Sequence, residues 1–215
     1  MSHDENFVRP DPVKDRRGDA AYADRSKKSH EAISDPLGYR ADYIDIIALD
    51  GLLPEGYRLL DVGCGTAGYH RLLTRHSHVH GIYFMPEMIE VAGKFSVDFG
   101  LRDAFYTCCT LEEFESDERY DAIRMPGVYG WYRTWHGQQK ILDKLRNLLR
   151  PGGIAVVSYV SPSSPIHWAK TLLLPARTVV IPRSKFLGMA AMAGFGTIAS
   201  MVKGDSTYVF LRAPQ

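Results

Sequence analysis

The sequence predicts an α/β fold in which a doubly wound, largely parallel sheet carries helices on both faces and ends in an antiparallel strand. Apolar runs of strand length alternate with amphipathic helical segments through most of the 215 residues. A glycine-rich turn joins the first clear strand to the segment after it. Two strand-like segments close the chain around the turn residues "KGD", which predicts a terminal hairpin.

The individual elements follow from the spacing of the apolar residues. Helical spacing predicts helices at 39–49, 67–76, 86–96, 137–149 and 184–194. Short apolar runs bounded by turn residues predict strands at 58–62, 79–84, 104–109, 120–125, 154–160, 195–202 and 206–213. The run "IAVVSYV" is apolar throughout, which is typical of a central strand in a parallel sheet.

Composition excludes several classes of protein. Hydrophobic residues make up 45% and charged residues 24% of the chain, as in an ordinary soluble domain. The formal net charge of +1 argues against a nucleic-acid partner. Three cysteines form neither a disulfide framework nor a zinc pattern, and no histidine spacing predicts a metal site. We therefore expect a cytoplasmic protein without a membrane span, a secretory signal or a bound metal.

A glycine loop follows the first strand. Gly63, Gly65 and Gly68 fit the pattern G-x-G-x-x-G between a strand and a helix, the setting of a dinucleotide site. Glycine allows the backbone to turn sharply and to approach a ligand closely. A tight turn with no ligand is the alternative interpretation of the same residues.

Asp61 distinguishes between the cofactors that such a glycine loop could bind. It lies at the end of the strand, two residues before the first glycine, where a pyrophosphate cofactor has no use for an anion. The cationic ammonium group of S-adenosylmethionine suits this carboxylate, and a buried carboxylate without a cationic partner is costly. A helix that breaks at "RPGG" before a buried strand, in "LLRPGGIAVVS", is the second distinguishing feature.

With these segments the chain resembles the class I S-adenosylmethionine-dependent methyltransferases from about residue 39 to residue 212. The resemblance is carried by "LLDVGCGTAG", "PEMIEVA", "YDAIRM", "LLRPGGIAVVS" and "AGFGTIASMVKGDSTYVFL". It implies a Rossmann-like, seven-stranded sheet with an antiparallel last strand, a domain over 39–215 and a substrate-side insertion at about 161–184. Residues 1–38 are then expected to be a disordered start followed by a helical lid that brings Tyr22 to the cofactor.

The resemblance also assigns cofactor-binding positions. The expected residues come from four places: the loop after the first strand, the end of the second strand, the segment after the third strand, and the end of the fourth strand. The last of these should lie near the methionine end of the cofactor. In this order the expected residues are Asp61, Gly63, Cys64, Gly65, Tyr83, Phe84, Met85, Cys109, Thr110, Leu111 and Met125.

Two of these positions depart from the family pattern. Tyr83 stands where an acid usually takes both ribose hydroxyls, and "CCT" stands where an acid often lies beside adenine. A phenol offers one donor and one acceptor, whereas a carboxylate binds two hydroxyls at once. We expect the loss to weaken cofactor affinity by about 1–3 kcal/mol rather than to abolish binding.

The acceptor side is expected after the fourth and fifth strands. His136 is the candidate general base, and Tyr129 is the candidate for lining the acceptor pocket and favouring the sulfonium by cation–π attraction. The alternatives are that His136 flanks a helix start and that Tyr129 packs against that helix. The apolar, proline-containing segment 161–184 is expected either to cover an apolar acceptor or to form a homodimer contact.

The sequence thus predicts a methyltransferase that acts on a small organic metabolite at oxygen, nitrogen or carbon. The family's base-modifying enzymes often carry Asn/Asp-Pro-Pro-aromatic where this chain has "RMPGVY", which argues against a nucleic-acid substrate. A protein of the same fold that binds S-adenosylmethionine or another ligand without methyl transfer, cyclase-like or regulatory, is the first alternative. A nicotinamide oxidoreductase, indicated by the glycine pattern alone, is the second.

Overall fold

The computed structural model describes residues 44–72, 78–101, 103–161, 179–203 and 206–215. The expected N-terminal segment 1–38, with Tyr22, lies outside these ranges. So does most of the expected insertion at 161–184.

Helices and strands alternate along the described chain. The helices are α1 (Ile44–Leu52), α2 (Pro86–Asp98), α3 (Trp135–Leu148) and α4 (Arg183–Met192). The strands are β1 (Arg58–Val62), β2 (His78–Tyr83), β3 (Ala104–Cys108), β4 (Tyr120–Met125), β5 (Leu149–Val160), β6 (Gly196–Lys203) and β7 (Ser206–Arg212). Within the described ranges, no helix is long and apolar enough to cross a membrane.

All seven strands form one sheet in the order β3-β2-β1-β4-β5-β7-β6. The pairs from β3 through β5 are parallel, and β7 runs antiparallel to both β5 and β6. The predicted fold, including the antiparallel last strand, is therefore confirmed. Strand order reverses direction at the pair β1 and β4. In doubly wound sheets ligands bind beyond the carboxyl ends of the strands at such a reversal.

Side-chain alternation along the strands gives the sheet an apolar core on each face. Leu60 and Val62 of β1 point to the face covered by α3 and α4, in the larger core cluster. Leu59 points to the opposite face, where it packs with Leu49 of α1. Both sides of β1 are thus buried, which fixes the position of the loop that follows it.

The segment after β1 differs from the predicted helix at 67–76. The structure has a short 3₁₀ helix, Gly68–Leu72, and residues 73–77 lie outside the described ranges. The His70 amide donates to the Ala67 carbonyl, three residues back, at 2.9 Å. The side chains of Tyr69 and His70 turn inward to Asp61. The sequence could not reveal this polar interaction, which competes with a regular helix.

Helix α3 begins two residues earlier than predicted. Thr134 precedes it with extended backbone, and its hydroxyl accepts a hydrogen bond from the Gly137 amide at 3.0 Å. This is an ordinary N-cap interaction. It places His136 in the first turn.

The surroundings of His80 predict that the protein becomes less stable at acidic pH. The His80 ring lies between the Tyr120 hydroxyl and the Thr107 hydroxyl, at 2.9 and 2.8 Å, and burial lowers its pKa below the ordinary 6.5. The unfolded chain therefore binds this proton more readily than the folded chain. The contribution of His80 to the free energy of unfolding should be fully present above about pH 6.5 and should decrease as the pH falls below that value. Urea unfolding between pH 7.5 and 5 measures the slope.

The matched control is His78, two residues earlier in β2, whose side chain is 50% exposed. The variant His80→Gln should flatten the slope, and His78→Gln should keep it. An unchanged slope in His80→Gln would assign the acid sensitivity to other groups.

Candidate functional site

The loop after β1 has a backbone that its glycines make possible. Gly63 and Gly65 have φ values of 84° and 56°, and Ala67 follows at 53°. These values lie in the left-handed region that glycine tolerates best. The amides of Gly63 and Cys64 both donate to the Ile82 carbonyl, at 2.9 and 3.2 Å, so the loop is tied to the end of β2.

The two glycines have different surroundings. A Cβ at Gly63 would lie 2.4 Å from Cγ2 of Val128, whereas a Cβ at Gly65 would meet no atom within 4 Å. Gly63 is therefore required for packing against the segment after β4. Gly65 leaves a space beside the loop where a ligand can approach the backbone.

Alanine substitutions should separate these two roles. Gly65→Ala carries the left-handed strain alone, about 1–2 kcal/mol. Gly63→Ala adds a clash with Val128 and should cost about 1–3 kcal/mol more. Urea unfolding measures both values. In the double variant Gly63→Ala/Val128→Ala the clash is removed. Its loss of unfolding free energy should therefore equal the loss in Gly65→Ala plus the loss in Val128→Ala. If the double variant recovers no stability relative to Gly63→Ala, Val128 does not limit the loop.

Asp61 is fully buried and already has a cationic partner within the chain. Its Oδ1 accepts from Arg124 at 3.3 Å, and its Oδ2 accepts from His70 Nε2 at 2.8 Å and from the Tyr69 hydroxyl. Burial would raise the pKa of Asp61, but the Arg124 charge and the hydrogen bonds from His70 and Tyr69 outweigh it and lower the pKa. The sequence argument that this carboxylate needs an external cation is therefore wrong in its premise.

Arg124 is the centre of a buried ionic cluster. It is the register partner of Asp61 on the neighbouring strand β4, and its Nε donates to Asp45 of α1 at 2.5 Å. Its guanidinium lies 4.4 Å from the centre of the Tyr69 ring. Burial would lower the pKa of Arg124, but Tyr69, Asp45 and Asp61 raise it, so the group stays charged.

His70 extends this cluster toward β3. Its Nδ1 lies 3.0 Å from the Tyr106 hydroxyl, and the two rings stack at a centroid distance of 5.8 Å. Tyr106 in turn packs beside Cys64 and Ala67 of the glycine loop. Asp45, Asp61, His70 and Arg124 together form the buried ionic cluster. Within the described ranges, no group of three or more His, Cys, Asp or Glu side chains is placed to hold a metal ion.

Tyr83 lies at the end of β2, as the resemblance implies. Its ring is half-buried against the small cluster formed by Cys64, Ala67 and Ala92, and it packs on Phe84 at 4.8 Å. Its carbonyl accepts from the Cys109 amide at 3.0 Å. The position that the family gives to an acid thus lies beside the glycine loop, and a phenol occupies it.

The polar groups expected near adenine are engaged with each other. The Thr110 amide and hydroxyl donate to Glu113 at 2.9 and 3.0 Å, and the Glu113 amide donates back to Thr110 Oγ1 at 3.3 Å. This is a capping box. Leu111 is buried in the larger core, and Cys109 packs partly buried against it. The Thr110 hydroxyl therefore has one acceptor lone pair left for a contact with the adenine amine.

The remaining expected cofactor residues occupy two places. Phe84 and Met85 follow β2 and are half-buried, Met85 preceding the first turn of α2. Met125 ends β4 and is completely buried in the larger core. Whether these side chains bind a cofactor stays a prediction.

Tyr129 does not line an open pocket, and this expectation is wrong. Its ring is completely buried, edge-on to Phe186 of α4 at 5.1 Å, and its hydroxyl donates to the Gln138 carbonyl at 3.4 Å. Burial raises the pKa of Tyr129, so it keeps its proton. The alternative, packing against the following helix, is what the structure has.

His136 is exposed in the first turn of α3. Thr134, not His136, caps the helix. The imidazole is therefore open to solvent on the side of the sheet where β4 ends, and its role as a general base stays a prediction.

The sequence analysis identified Asp61 but missed the three residues that surround it in the buried ionic cluster. A signal was present in "YDAIRM", where an arginine follows two apolar residues in the second half of a predicted buried strand. A buried arginine requires acidic partners. The neighbouring strand offered Asp61, whereas nothing in the sequence placed Asp45 or His70 beside it.

The residues around the loop fit the two ends of an adenosyl cofactor unequally. The open space at Gly65 lets a ligand reach the loop backbone beside β1. Asp61 is already paired with Arg124, whereas Oδ1 of the nearby Asp45 is buried without a donor from the described residues and suits the cationic amino-acid end of such a ligand. At the ribose position, Tyr83 replaces the acid that would bind two hydroxyls. The site therefore fits such a group with fewer ribose contacts.

Comparison with known proteins agrees with this geometry. Residues 59–153 match the model of a family described as a methyltransferase domain. An uncharacterised protein of Rickettsia prowazekii (strain Madrid E) is 32% identical over 119 residues, which are 52% of this chain and 47% of that protein. A malonyl-[acyl-carrier protein] O-methyltransferase of Acetivibrio thermocellus is 26% identical over 138 residues, 62% of this chain and 46% of that protein. The chain thus spans about half the length of the curated relatives it matches.

Solved structures share the fold at low sequence identity. The N-methyltransferase NodS from Bradyrhizobium japonicum WM9, in complex with S-adenosylhomocysteine, has a TM-score of 0.66 and 16% identity, covering 82% of this chain and 87% of that one. The [4+2]-cyclase SpnF has a TM-score of 0.65 and 16% identity, covering 79% of each chain. With the matching domain at 59–153 and the seven-stranded sheet, these findings confirm the resemblance of this chain to the class I S-adenosylmethionine-dependent methyltransferases.

Proposed function

We propose that this protein binds S-adenosylmethionine at the glycine loop and transfers its methyl group to a small organic metabolite at oxygen, nitrogen or carbon. The observation that carries the proposal is the left-handed loop at Gly63 and Gly65, beyond the carboxyl end of β1 at the reversal of strand order. The open space at Gly65 allows the ligand to reach the backbone.

The protein's contribution to the reaction is placement. When bound, S-adenosylmethionine supplies an activated methyl group: the acceptor's lone pair forms a bond to the methyl carbon while the carbon–sulfur bond breaks, leaving S-adenosylhomocysteine. The loop between β4 and α3 lies beside the cofactor loop, as the contact of Val128 with Gly63 indicates. Holding the acceptor in line with the methyl group is the main source of acceleration in such a transfer.

His136 is proposed as the group that takes a proton from an acceptor that must lose one. It is exposed and lies at the start of α3, directly after this loop. Histidine is the side chain most often used as a general base. The variant His136→Gln should lower kcat by about a hundredfold and leave the affinity for S-adenosylhomocysteine unchanged. An unchanged kcat would exclude this role.

The expected substrate class and setting remain part of the proposal. The near-neutral charge of the chain supports the absence of a nucleic-acid partner, and "RMPGVY" in place of the base-modifying motif supports a small acceptor. The proposed cytoplasmic location rests on three cysteines that form no disulfide framework. The lid role of residues 1–38, with Tyr22, and the substrate or homodimer role of 161–184 are proposed on the resemblance alone.

A binding protein or cyclase-like catalyst of the same fold is the second candidate. Tyr83 in place of the ribose acid favours it, as does the internal pairing of Asp61 with Arg124. The likeness to the cyclase SpnF provides a precedent for the fold.

Methyl-labelled S-adenosylmethionine, incubated with the protein and a fractionated cell extract, distinguishes the candidates. The proposal predicts label in the low-molecular-weight fraction, and a Gly65→Val variant should abolish it by filling the open space. Label confined to protein or nucleic acid would contradict a small acceptor. Tight cofactor binding with no label in any fraction would favour the second candidate.

A further inference from the structure

We propose that Asp45 is a ligand-binding carboxylate, and that its Oδ1 accepts a hydrogen bond from a primary ammonium group of the bound ligand. The inference rests on the proposed function, because it assigns the α-amine of S-adenosylmethionine or S-adenosylhomocysteine to this oxygen. It adds a residue of helix α1 to the site, which the glycine loop and the ends of β1 and β2 otherwise define.

The two oxygens of Asp45 are in different situations. Its side chain is completely buried, and its Oδ2 accepts from Arg124 Nε. Its Oδ1 is also buried, yet none of the described residues donates a hydrogen bond to it. Leaving a buried carboxylate oxygen without a donor is costly. The structure therefore calls for a donor at this atom.

Asp45 is linked through Arg124 to the strand end that carries the glycine loop. Arg124 joins it to Asp61, and Asp61 lies two residues before Gly63. The three charged groups are thus at the carboxyl edge of β1 and β4, where strand order reverses. Ligands of doubly wound folds bind at this edge.

The balance of donors favours Asp45 over Asp61 as the partner of a cation. Asp61 accepts from Arg124 at one oxygen and from His70 and Tyr69 at the other. Among the described residues, only Arg124 donates to Asp45. His70 lies against Asp61, so an added cation would find the carboxylate with fewer donors at Asp45. A single free oxygen suits an ammonium group, which is a point donor, better than a forked guanidinium.

Calorimetric titration of the full chain with two ligands tests the assignment. The ligands are S-adenosylhomocysteine and its 2-oxo acid, which differ only at the α-carbon, where a carbonyl oxygen replaces the ammonium group. The wild-type protein should bind the amine form about tenfold or more tightly, the worth of a charge-assisted hydrogen bond. In Asp45→Asn, which keeps the shape and removes the charge, this preference should fall to about twofold or less.

Asp121→Asn is the matched control. Asp121 is the second residue of β4, at the opposite end of the strand from Arg124, and also pairs with an arginine, Arg150, at 2.8 Å. This variant should keep the full preference for the amine. If the wild-type protein binds neither ligand, the proposed function fails. If it binds both equally, or if Asp45→Asn keeps the full preference, the proposed function stands and the Asp45 assignment is overturned.

A crystal structure of the wild-type protein with S-adenosylhomocysteine provides a test that needs no variant. The assignment predicts the amine nitrogen at about 2.7–3.1 Å from Asp45 Oδ1. An amine held elsewhere, with water or another part of the chain donating to Oδ1, would overturn the assignment even if Asp45→Asn failed to fold.

Discussion

Replacing Tyr83 by glutamate is expected to tighten the binding of S-adenosylhomocysteine by about tenfold to a hundredfold. A carboxylate at the end of β2 can accept hydrogen bonds from two ribose hydroxyls, whereas the phenol offers one donor and one acceptor. Hydrogen bonds to a charged group contribute about 1.5–3 kcal/mol, which corresponds to this range of affinity. Titration calorimetry of the purified variant measures the change.

Tyr83→Gln is the matched control for this substitution. It has the shape of the glutamate without its charge, so its affinity should stay within about threefold of the wild-type value. The half-buried Tyr83 ring packs beside Cys64 and Ala67, and both substitutions remove that packing equally. Equal affinities of the glutamate and glutamine variants would show that the ribose does not lie at the end of β2.

Loss of Arg124 is expected to destabilise the fold by about 3–5 kcal/mol. The variant Arg124→Met keeps much of the side-chain volume but leaves the buried carboxylates of Asp45 and Asp61 without their shared cation. Removing one partner from a buried ionic group leaves uncompensated charge, and this is the source of the large cost. Urea unfolding near pH 7 measures it.

Arg150→Met provides the comparison. Arg150 also pairs with a carboxylate on β4, Asp121, but the two side chains are 47% and 22% exposed. An exposed ion pair contributes at most about 1 kcal/mol. Adding Asp45→Asn to Arg124→Met should recover part of the lost stability, because one unpaired charge is removed. Equal costs for Arg124→Met and Arg150→Met would contradict the buried ionic cluster.

The fold was predictable because its signals are local and repeated. Each strand of the sheet appears in the sequence as an apolar run between turn residues. The helix does end before "RPGG" as expected, but β5 already begins at Leu149, so these four residues lie inside the strand rather than before it. Helix α3 begins two residues before the predicted start because Thr134 caps it, and it ends one residue before the predicted end. The glycine loop was located correctly because its residue pattern depends on backbone conformation, which Gly63 and Gly65 require.

The site was less predictable because its contacts join distant parts of the chain. Arg124 pairs with Asp45 and Asp61, which lie 79 and 63 positions earlier in the sequence. No periodicity indicates such a pairing. Tyr129 was misassigned for a related reason: an aromatic residue after a strand can face a pocket or the core, and its direction depends on α4, which packs against it.

The central claim is that the loop at Gly63 and Gly65 binds the adenosyl cofactor despite Tyr83. Calorimetric titration of the wild-type chain with S-adenosylhomocysteine tests it most directly, with NADH as the competing ligand. We predict saturable binding of S-adenosylhomocysteine with a Kd in the range of about 1–100 μM, about −8 to −5 kcal/mol, and no binding of NADH. Binding of NADH, or of neither compound, would contradict the account.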